Sequence, residues 1–244
     1  MFLRPLLDLF FPPLCHVCRV YIPHLPADAD SPLHICPECL DKITFITSPL
    51  CNVCGKPFFS DTPDNHTCGA CLTDAPHHTS RSAAVLAGPI QQLIHSFKYG
   101  GRVHLAHPLG ILTSSTLRDF CVVVAPDLIL PVPLHRKRLR QRGYNQSQLI
   151  GAVLAKHWKV PLEVGNLRRL RWTEPQTALD ARDRATNVKG AFGVKDPKRL
   201  EGKRVLLVDD VVTTGSTMRA CVDALREVEV AAICAVTVAR GVQQ

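Results

Sequence analysis

The stretch Val205-Leu-Leu-Val-Asp-Asp-Val-Val-Thr-Thr-Gly-Ser-Thr217 decides the fold of this 244-residue chain. Residues 205–208 are apolar and favour β structure, which predicts a buried strand. Asp209 and Asp210 follow at its carboxyl end, and a hydroxyl-rich loop with one glycine then leads into a predicted helix over residues 217–228. This order is typical of a parallel α/β sheet, in which ligands bind at the carboxyl ends of strands.

The chemistry of the loop after Asp210 points to a phosphate ligand. Free backbone N–H groups at the start of a helix, with the helix dipole behind them, form an anion site. Gly215 allows the backbone to approach a ligand closely. Hydroxyl groups add further donors, and paired carboxylates suit the 2′ and 3′ hydroxyls of a ribose. The hydroxyl donors are Thr213, Thr214, Ser216 and Thr217.

Two other protein classes also place two acids at the end of a strand. One is the Walker B position of nucleotide-hydrolysing enzymes, which requires a G-x-x-x-x-G-K-[ST] loop that this sequence lacks. The other is the phosphoacceptor receiver domain, where the acids come early in the domain and are not followed by T-T-G-S-T. No G-x-G-x-x-G is present either, so a Rossmann dinucleotide site is unsupported.

Strands alternate with helices over the rest of the carboxyl-terminal part, which predicts βαβ units and a parallel sheet. Helices are predicted over residues 90–99 and 145–158. Buried strands are predicted from the apolar runs 122–125 and 128–132, near 160–164 and over 230–238. We expect Cys121, Cys221 and Cys234 to be core residues in a strand, a helix and a strand.

Charge and cysteine content divide the chain into two units. Residues 1–80 carry a formal charge of −4 and residues 81–244 carry +12, and eight of the 11 cysteines lie between Cys15 and Cys71. We predict a zinc-ribbon module over residues 1–80 and an α/β domain over 81–244, with a linker near 74–88.

Composition also limits the function classes. With 46% hydrophobic and 20% charged residues, the chain is not disordered as a whole. No run of 18 apolar residues predicts a membrane span. The apolar stretch 1–14 is interrupted by charges and prolines and lacks a cleavage site, so we do not interpret it as a signal peptide. We therefore expect a cytoplasmic protein.

Four C-x-x-C pairs predict structural zinc. Each pair lets a tight turn aim two thiolates at one metal, and two such turns complete a closed tetrahedral site. A disulfide framework is the alternative, and the absence of a secretory signal disfavours it. The spacing leaves open whether the pairs combine sequentially or interleave, and Gly55 and Gly69 are expected at positive φ. The predicted ligands of two Zn²⁺ ions are Cys15, Cys18, Cys36, Cys39, Cys51, Cys54, Cys68 and Cys71.

The stretch that ends in T-T-G-S-T resembles the phosphoribosyl pyrophosphate (PRPP) loop of type I phosphoribosyltransferases at every position. With the four cysteine pairs and five further stretches, the chain resembles the ComF/ComFC family, which includes GntX-type DNA-utilisation proteins. Tyr144 stands where that family usually has Phe. The five stretches are Phe97-Lys-Tyr-Gly-Gly-Arg102, Pro131-Val-Pro-Leu-His135, Arg142-Gly-Tyr-Asn-Gln146, Gln176-Thr177 and Asn187-Val-Lys-Gly-Ala-Phe192.

The resemblance implies a type I phosphoribosyltransferase fold and a set of site residues. Asp209, Asp210 and Arg182 would be catalytic, and Mg²⁺ would accompany PRPP. A lid over residues 168–192 would close on the ligand. The PRPP phosphate and ribose would be bound by Val211, Val212, Thr213, Thr214, Gly215, Ser216 and Thr217. The pyrophosphate would be bound by Arg138, Arg142, Asn145 and Gln146.

Three functions follow as hypotheses. The first is a PRPP-dependent glycosyltransferase, or a nucleotide-salvage activity attached to DNA uptake. The second is a non-catalytic module that binds PRPP and single-stranded DNA during natural transformation, with Arg136 and Lys137 contacting DNA phosphates. The third is a docking surface of the zinc unit for a partner, in which an apolar patch would be formed by Leu6, Leu7, Phe10 and Phe11. We favour the alternative that these residues pack on the α/β domain. Competence-machinery proteins are the expected protein partners.

Overall fold

The computed structural model describes residues 12–23, 33–58, 64–172 and 190–242. Some predicted features lie outside these described ranges, among them Arg182 and the patch of Leu6, Leu7, Phe10 and Phe11. The helices are α1 Pro37–Asp41, α2 Gly69–Thr73, α3 Gly88–Tyr99, α4 Ala106–Thr116, α5 Arg118–Val124, α6 Arg136–Arg142, α7 Gln146–Trp158 and α8 Ser216–Arg226. The strands are β1 Thr79–Val85, β2 Leu128–Pro131, β3 Leu167–Arg169, β4 Phe192–Val194, β5 Arg204–Val212 and β6 Ala232–Arg240.

A four-stranded parallel sheet forms the centre of the carboxyl-terminal part. Its strand order is β1-β6-β5-β2, and all three pairings are parallel. In register, Leu207 of β5 pairs with Leu130 of β2 and with Ala235 of β6. All the carboxyl ends therefore lie at one edge, as expected for a parallel α/β sheet.

Two apolar layers cover the two faces of the sheet. On one face, Leu206 and Val208 pack with buried residues of α3, α4 and α7. On the other face, Val205 and Leu207 pack with α8 and with the antiparallel pair β3–β4. Both layers are fully buried along β5, so this strand is the most apolar part of the sheet.

Most predicted elements are confirmed, but the run 122–125 is not a strand. It forms the end of α5, where Val122 and Val123 are 70% and 81% exposed, whereas Cys121 is buried. Helical spacing places Leu117 and Cys121 on the buried side. The left-handed residue Ala125 ends the helix, so strand geometry begins only at β2. Cys121 is therefore a core residue of a helix, contrary to our prediction.

Two other stretches differ from their predictions. The expected strand near 160–164 is reduced to a single parallel bridge between Leu162 and Ile129, because Pro161 has no N–H to extend the ladder. The expected linker near 74–88 contains β1, which pairs with β6 at the edge of the sheet. Its small residues, among them Ala83 and Ala84, are buried, and they gave no strong strand signal.

The eight paired cysteines form two groups of four. One group is Cys15, Cys18, Cys36 and Cys39, and the other is Cys51, Cys54, Cys68 and Cys71. In each group the four sulfur atoms lie within 4.8 Å of one another, so the pairs combine sequentially. Four converging thiolates fit a tetrahedral structural zinc site.

Backbone donors and turns support this geometry. The N–H groups of Cys36 and Cys68 donate to the sulfur atoms of Cys15 and Cys51, at 3.3 Å in both cases. Gly55 has the expected positive φ of 68°. Gly69 does not, because it begins helix α2.

No helix in the described part of the chain is long and apolar enough to cross a membrane.

We predict two zinc ions per chain, one held by each group of four cysteines. Replacing one ligand in either group, as in Cys39→Ser or Cys71→Ser, should reduce the content to one ion, because three thiolates leave the tetrahedral site open. Zinc per folded chain is measured by inductively coupled plasma mass spectrometry. Cys121→Ser is the matched control and should retain two. Full zinc content in both ligand variants would contradict the assignment.

Candidate functional site

The acidic pair lies within a strand rather than after it. Strand β5 continues to Val212 because its pairing with β6 extends to the pair Val212–Arg240. Asp210 is buried and Asp209 is half-buried. The backbone of both acidic residues is therefore part of the hydrogen-bonded sheet, which holds the two carboxylates in fixed positions.

The loop after β5 folds as the sequence predicts. Gly215 has a φ of 77°, in the left-handed region that favours glycine, and α8 begins at the next residue. The Thr214 and Ser216 hydroxyls are 2.6 Å apart. Asp209 and residues 211–218 line a small cavity of about 40 Å³. Backbone N–H groups from the first turn of α8 supply donors at this cavity, which suits a single phosphate group.

Asp209 is held by two donors. The Ser147 hydroxyl donates to Asp209 Oδ1 at 2.8 Å, and the backbone N–H of Asp210 donates to the same oxygen at 2.9 Å. Burial and the neighbouring Asp210 carboxylate raise the pKa of Asp209 to about 7. Near neutral pH, Asp209 can therefore exist with or without its proton.

Asp210 forms an ion pair that sequence reasoning did not predict. Lys98 Nζ lies 2.7 Å from Asp210 Oδ1, and both side chains are largely buried. Lys98 comes from the end of α3, 112 positions earlier in the chain. The stretch Phe97-Lys-Tyr-Gly-Gly-Arg102 was part of the family resemblance, but nothing in it indicated which acid the lysine would meet.

Two of the arginines predicted to bind pyrophosphate lie beside Lys98. Arg138 and Arg142 line a cleft of about 470 Å³ together with Lys98 and Tyr99. The Arg142 guanidinium lies 5.4 Å from the centroid of the Tyr99 ring. The lining includes three cations and no acid, so the cleft is suited to a polyanion.

Asn145 and Gln146 are used by the fold. The Asn145 amide donates to the backbone oxygen of Val132, and its oxygen caps helix α7. Gln146 is 1% exposed and accepts a 2.6 Å hydrogen bond from Arg142. These contacts hold the loop and Arg142 in place, and the role of Asn145 and Gln146 in binding pyrophosphate stays a prediction.

The outer face of α6 points away from that cleft. Arg136 and Lys137 are exposed, whereas Arg138 and Arg142 are half-buried. Lys137 lies 5.5 Å from the centroid of the Trp172 ring. Arg138, which lines the cleft, lies 6.0 Å from the centroid of the same ring, so Trp172 borders both groups of cations.

The two ends of the expected lid are brought together by the pair β3–β4, in which Arg169 pairs with Phe192. Residues 173–189, which include Arg182, lie outside the described residues.

We predict that Asp209→Asn stabilises the protein at pH 8. Because the folded pKa of Asp209 is raised above its unfolded value, the stability it contributes is present below about pH 4 and is lost as pH rises through about 7. Asparagine keeps the oxygen that accepts from Ser147. In urea unfolding the variant should gain about 1–2 kcal/mol at pH 8 and little at pH 4.

The matched control for this prediction is Asp223→Asn, which removes an exposed acid from α8. It should change the free energy of unfolding by a similar small amount at both pH values. An Asp209→Asn gain that is equal at pH 4 and pH 8 would contradict a raised pKa.

Family models match both parts of the chain. A double zinc ribbon domain matches residues 6–72, and a phosphoribosyl transferase domain matches residues 120–244. The first range contains both groups of cysteines, and the second contains β5, α8 and the loop of residues 213–215 between them, which we call the phosphate loop for its predicted ligand. A zinc-ribbon module followed by a phosphoribosyltransferase domain is therefore confirmed as the architecture.

Curated relatives extend over nearly the whole chain. DNA utilization protein YhgH of Escherichia coli K12 is 34% identical over 211 residues, covering 85% of this chain and 88% of the relative. Competence protein F of Haemophilus influenzae is 32% identical over 213 residues, covering 80% and 92%. Among solved structures, the glutamine PRPP amidotransferase of Bacillus subtilis overlaps 56% of this chain and 26% of its own, with 22% identity and a TM-score of 0.35.

The identity and coverage of the curated relatives, with the two family models, are sufficient to assign the family. This chain, a double zinc ribbon followed by a phosphoribosyltransferase domain, belongs to the family of DNA utilization protein YhgH and the competence proteins F and ComFC.

Proposed function

We propose that the chain binds PRPP with Mg²⁺ at the carboxyl end of β5 and transfers the phosphoribosyl group to an acceptor. The observation that carries this proposal is that the Asp209 carboxylate lines the same cavity as residues 211–218. One end of the site suits a phosphate and the other suits ribose hydroxyls. A single phosphoribosyl ligand satisfies both.

Each group of residues in the proposed site would bind a different part of PRPP. The start of α8 holds the 5′-phosphate. Asp209 and Asp210 would face the ribose hydroxyls, and the ion pair with Lys98 would orient Asp210. Arg138 and Arg142, in the adjoining cationic cleft, neutralise the departing pyrophosphate. In the reaction, the bond from ribose C1 to pyrophosphate breaks and a bond from C1 to the acceptor forms.

Magnesium fits this site by the chemistry of its donors. Mg²⁺ prefers carboxylate, phosphate and water oxygens, and the Asp209 carboxylate lines the proposed phosphate cavity, with Asp210 next to it in the chain. When bound, the ion would supply positive charge to the pyrophosphate oxygens. Arg182, within the proposed lid, would add a further catalytic cation.

The names of the relatives suggest the biological setting. They connect this family with DNA utilization and competence, so we propose a role in handling imported DNA or in salvage of its nucleotides, together with competence-machinery proteins. A reducing compartment such as the cytoplasm suits eight cysteines that must remain thiolates to hold zinc.

Binding of PRPP is tested by thermal unfolding of the zinc-loaded protein in PRPP and MgCl₂. We expect a midpoint that rises with PRPP, because a ligand at 100 times its Kd stabilises the folded state by about 2.7 kcal/mol. For a chain of this size that corresponds to a shift on the order of 5–10 °C. The double variant Asp209→Asn/Asp210→Asn should lose most of the shift.

The matched control is Asp223→Asn/Glu227→Gln, which removes two exposed acids from the same region of the chain. Its shift should equal that of the wild type. No shift in the wild type, or an undiminished shift in the Asp209/Asp210 variant, would overturn the proposed site. Pyrophosphate release from PRPP, measured with a panel of bases and with DNA, then distinguishes turnover from binding alone.

A second candidate function, single-stranded DNA binding, is favoured by the outer face of α6. Arg136 and Lys137 are exposed there, and Trp172 lies beside Lys137. Exposed cations beside an aromatic ring match the way in which proteins hold a single strand, with cations on phosphates and rings on bases. Arg136 and Lys137 do not line the cleft of Arg138 and Arg142, although Arg138 lies 6.0 Å from the centroid of the same Trp172 ring, so the two candidate sites are neighbours.

We predict that Arg136→Gln/Lys137→Gln weakens binding of a fluorescent oligothymidine without changing the PRPP shift. Loss of two phosphate contacts should reduce the slope of log K against log salt by about 1.4. Fluorescence anisotropy at several salt concentrations measures it. The control, Lys156→Gln/Lys159→Gln, removes two exposed lysines elsewhere and should leave the slope unchanged. Equal effects of both pairs would indicate only a loss of net charge.

A further inference from the structure

The second group of cysteines lies directly beside the phosphate loop. A cavity of about 180 Å³ separates them, lined on one side by Cys54, Cys68 and Cys71 and on the other by Val212, Thr214 and Gly215. Because of this space the two parts are not joined by tight apolar packing. Structural coupling between the second group of cysteines and the loop must therefore come from residues at the rim and floor of the cavity that contact both.

Arg240 is one residue that touches both parts. Its backbone, at the end of β6, pairs in register with Val212, and the N–H of the next residue, Gly241, donates to the Val212 oxygen at 2.8 Å. Arg240 is only 9% exposed, and its Nη2 donates to the backbone oxygen of Cys54. The base of the phosphate loop and a zinc ligand are thus connected through a single residue.

The buried guanidinium of Arg240 lies beside the second group of cysteines, because its Nη2 contacts Cys54. Four thiolates around one Zn²⁺ carry a net charge of −2, so a buried guanidinium next to them has a compensating partner. Without that partner, a buried charge is strongly unfavourable.

Arg81 offers a comparison, because it contacts the same cysteine-bearing turn but not the loop. Its guanidinium donates to the backbone oxygen of Asn52 at 3.1 Å and to that of Ser80 at 2.8 Å. It also lies close enough to Cys51 and Cys54 for the thiolates to raise its pKa against the lowering by burial. Its register partner in β6 is Val236, four residues before Arg240. Arg81 therefore attaches the turn to the sheet at a distance from the loop.

A second connection runs across the exposed rim. Arg219, in the first turn of α8, forms an ion pair with Asp74, which follows α2. Both side chains are at least half exposed, so water and salt screen this pair. The buried contact of Arg240 is the stronger of the two.

We propose that Arg240 is a positioning residue for the phosphate-binding loop: it transmits the structure of the second zinc site to residues 212–217 and thereby sets the affinity for the phosphate group of the ligand. Arg240 does not touch the ligand in this arrangement. It acts through its strand pairing with Val212 and through Gly241. The part of the proposal that concerns ligand affinity rests on the proposed PRPP function. The part that concerns the order of the loop is independent of that function.

The test compares Arg240→Gln with Arg81→Gln in zinc-loaded protein, using hydrogen–deuterium exchange of peptides that span residues 209–217. Loss of a buried hydrogen bond from a charged group should increase exchange of these amides by about tenfold in Arg240→Gln, and not in Arg81→Gln. In the PRPP titration, the half-maximal concentration should rise by a similar factor only in Arg240→Gln. Zinc per chain, measured in parallel, should stay at two in both variants.

Equal exchange in the two variants, or exchange unchanged from the wild type in both, would overturn the positioning role. If the wild-type protein gives no PRPP shift, the proposed function fails, and the exchange comparison still decides the role of Arg240. If Arg240→Gln loses zinc or cooperative unfolding, Arg240→Lys replaces it. Lysine keeps the charge but not the planar guanidinium group. Exchange of residues 209–217 in Arg240→Lys should therefore be faster than in the wild type and in Arg81→Gln, but slower than in a fully loosened loop. Wild-type exchange in Arg240→Lys together with normal zinc would overturn the proposal.

Discussion

Two adjacent carboxylates near the end of β5, with Asp210 buried and Asp209 half-buried, are the constraint on which the site depends. Removing either carboxylate from water without a partner is unfavourable, so each requires a donor from another element. The donors are Ser147 on α7 and Lys98 on α3. Three elements that are far apart in the sequence must therefore meet at one point, and their packing on the apolar face of the sheet places them there.

The strand itself and its loop could be read from the sequence because they depend on neighbouring residues. Four apolar residues predict β5, and T-T-G-S-T predicts a turn into a helix, as found with Gly215 at a φ of 77°. The C-x-x-C spacing predicted zinc knuckles for the same reason. Which knuckles share a metal depends on tertiary contacts, so the spacing left this open until the structure grouped Cys15 with Cys36 and Cys51 with Cys68.

The features that sequence reasoning missed depend on distant partners. Lys98 resembles any helical surface lysine until it is placed against Asp210. The run ending at Val124 has the composition of a strand, but the contacts of Leu117 and Cys121 with the core select a helix. Asn145 and Gln146 match the family pattern for the pyrophosphate loop, yet their amides cap α7 and hold Arg142. A motif identifies a position, and only the surrounding contacts reveal how its side chain is used.

The two groups of cysteines lie against different parts of the candidate functional site. Cys15, Cys36 and Cys39 belong to one apolar cluster with Ile90 and Phe97 of α3, the helix that ends at Tyr99 and carries Lys98. The second group has its own small cluster and reaches the sheet through polar contacts, including the one from Arg240. The first ribbon therefore packs in the same cluster as the helix that carries Lys98, and the second lies beside the loop that follows β5. Each ribbon is thus adjacent to an element that would contribute to the proposed carboxylate and phosphate site, which gives a physical reason for the fusion of two ribbons to the phosphoribosyltransferase domain.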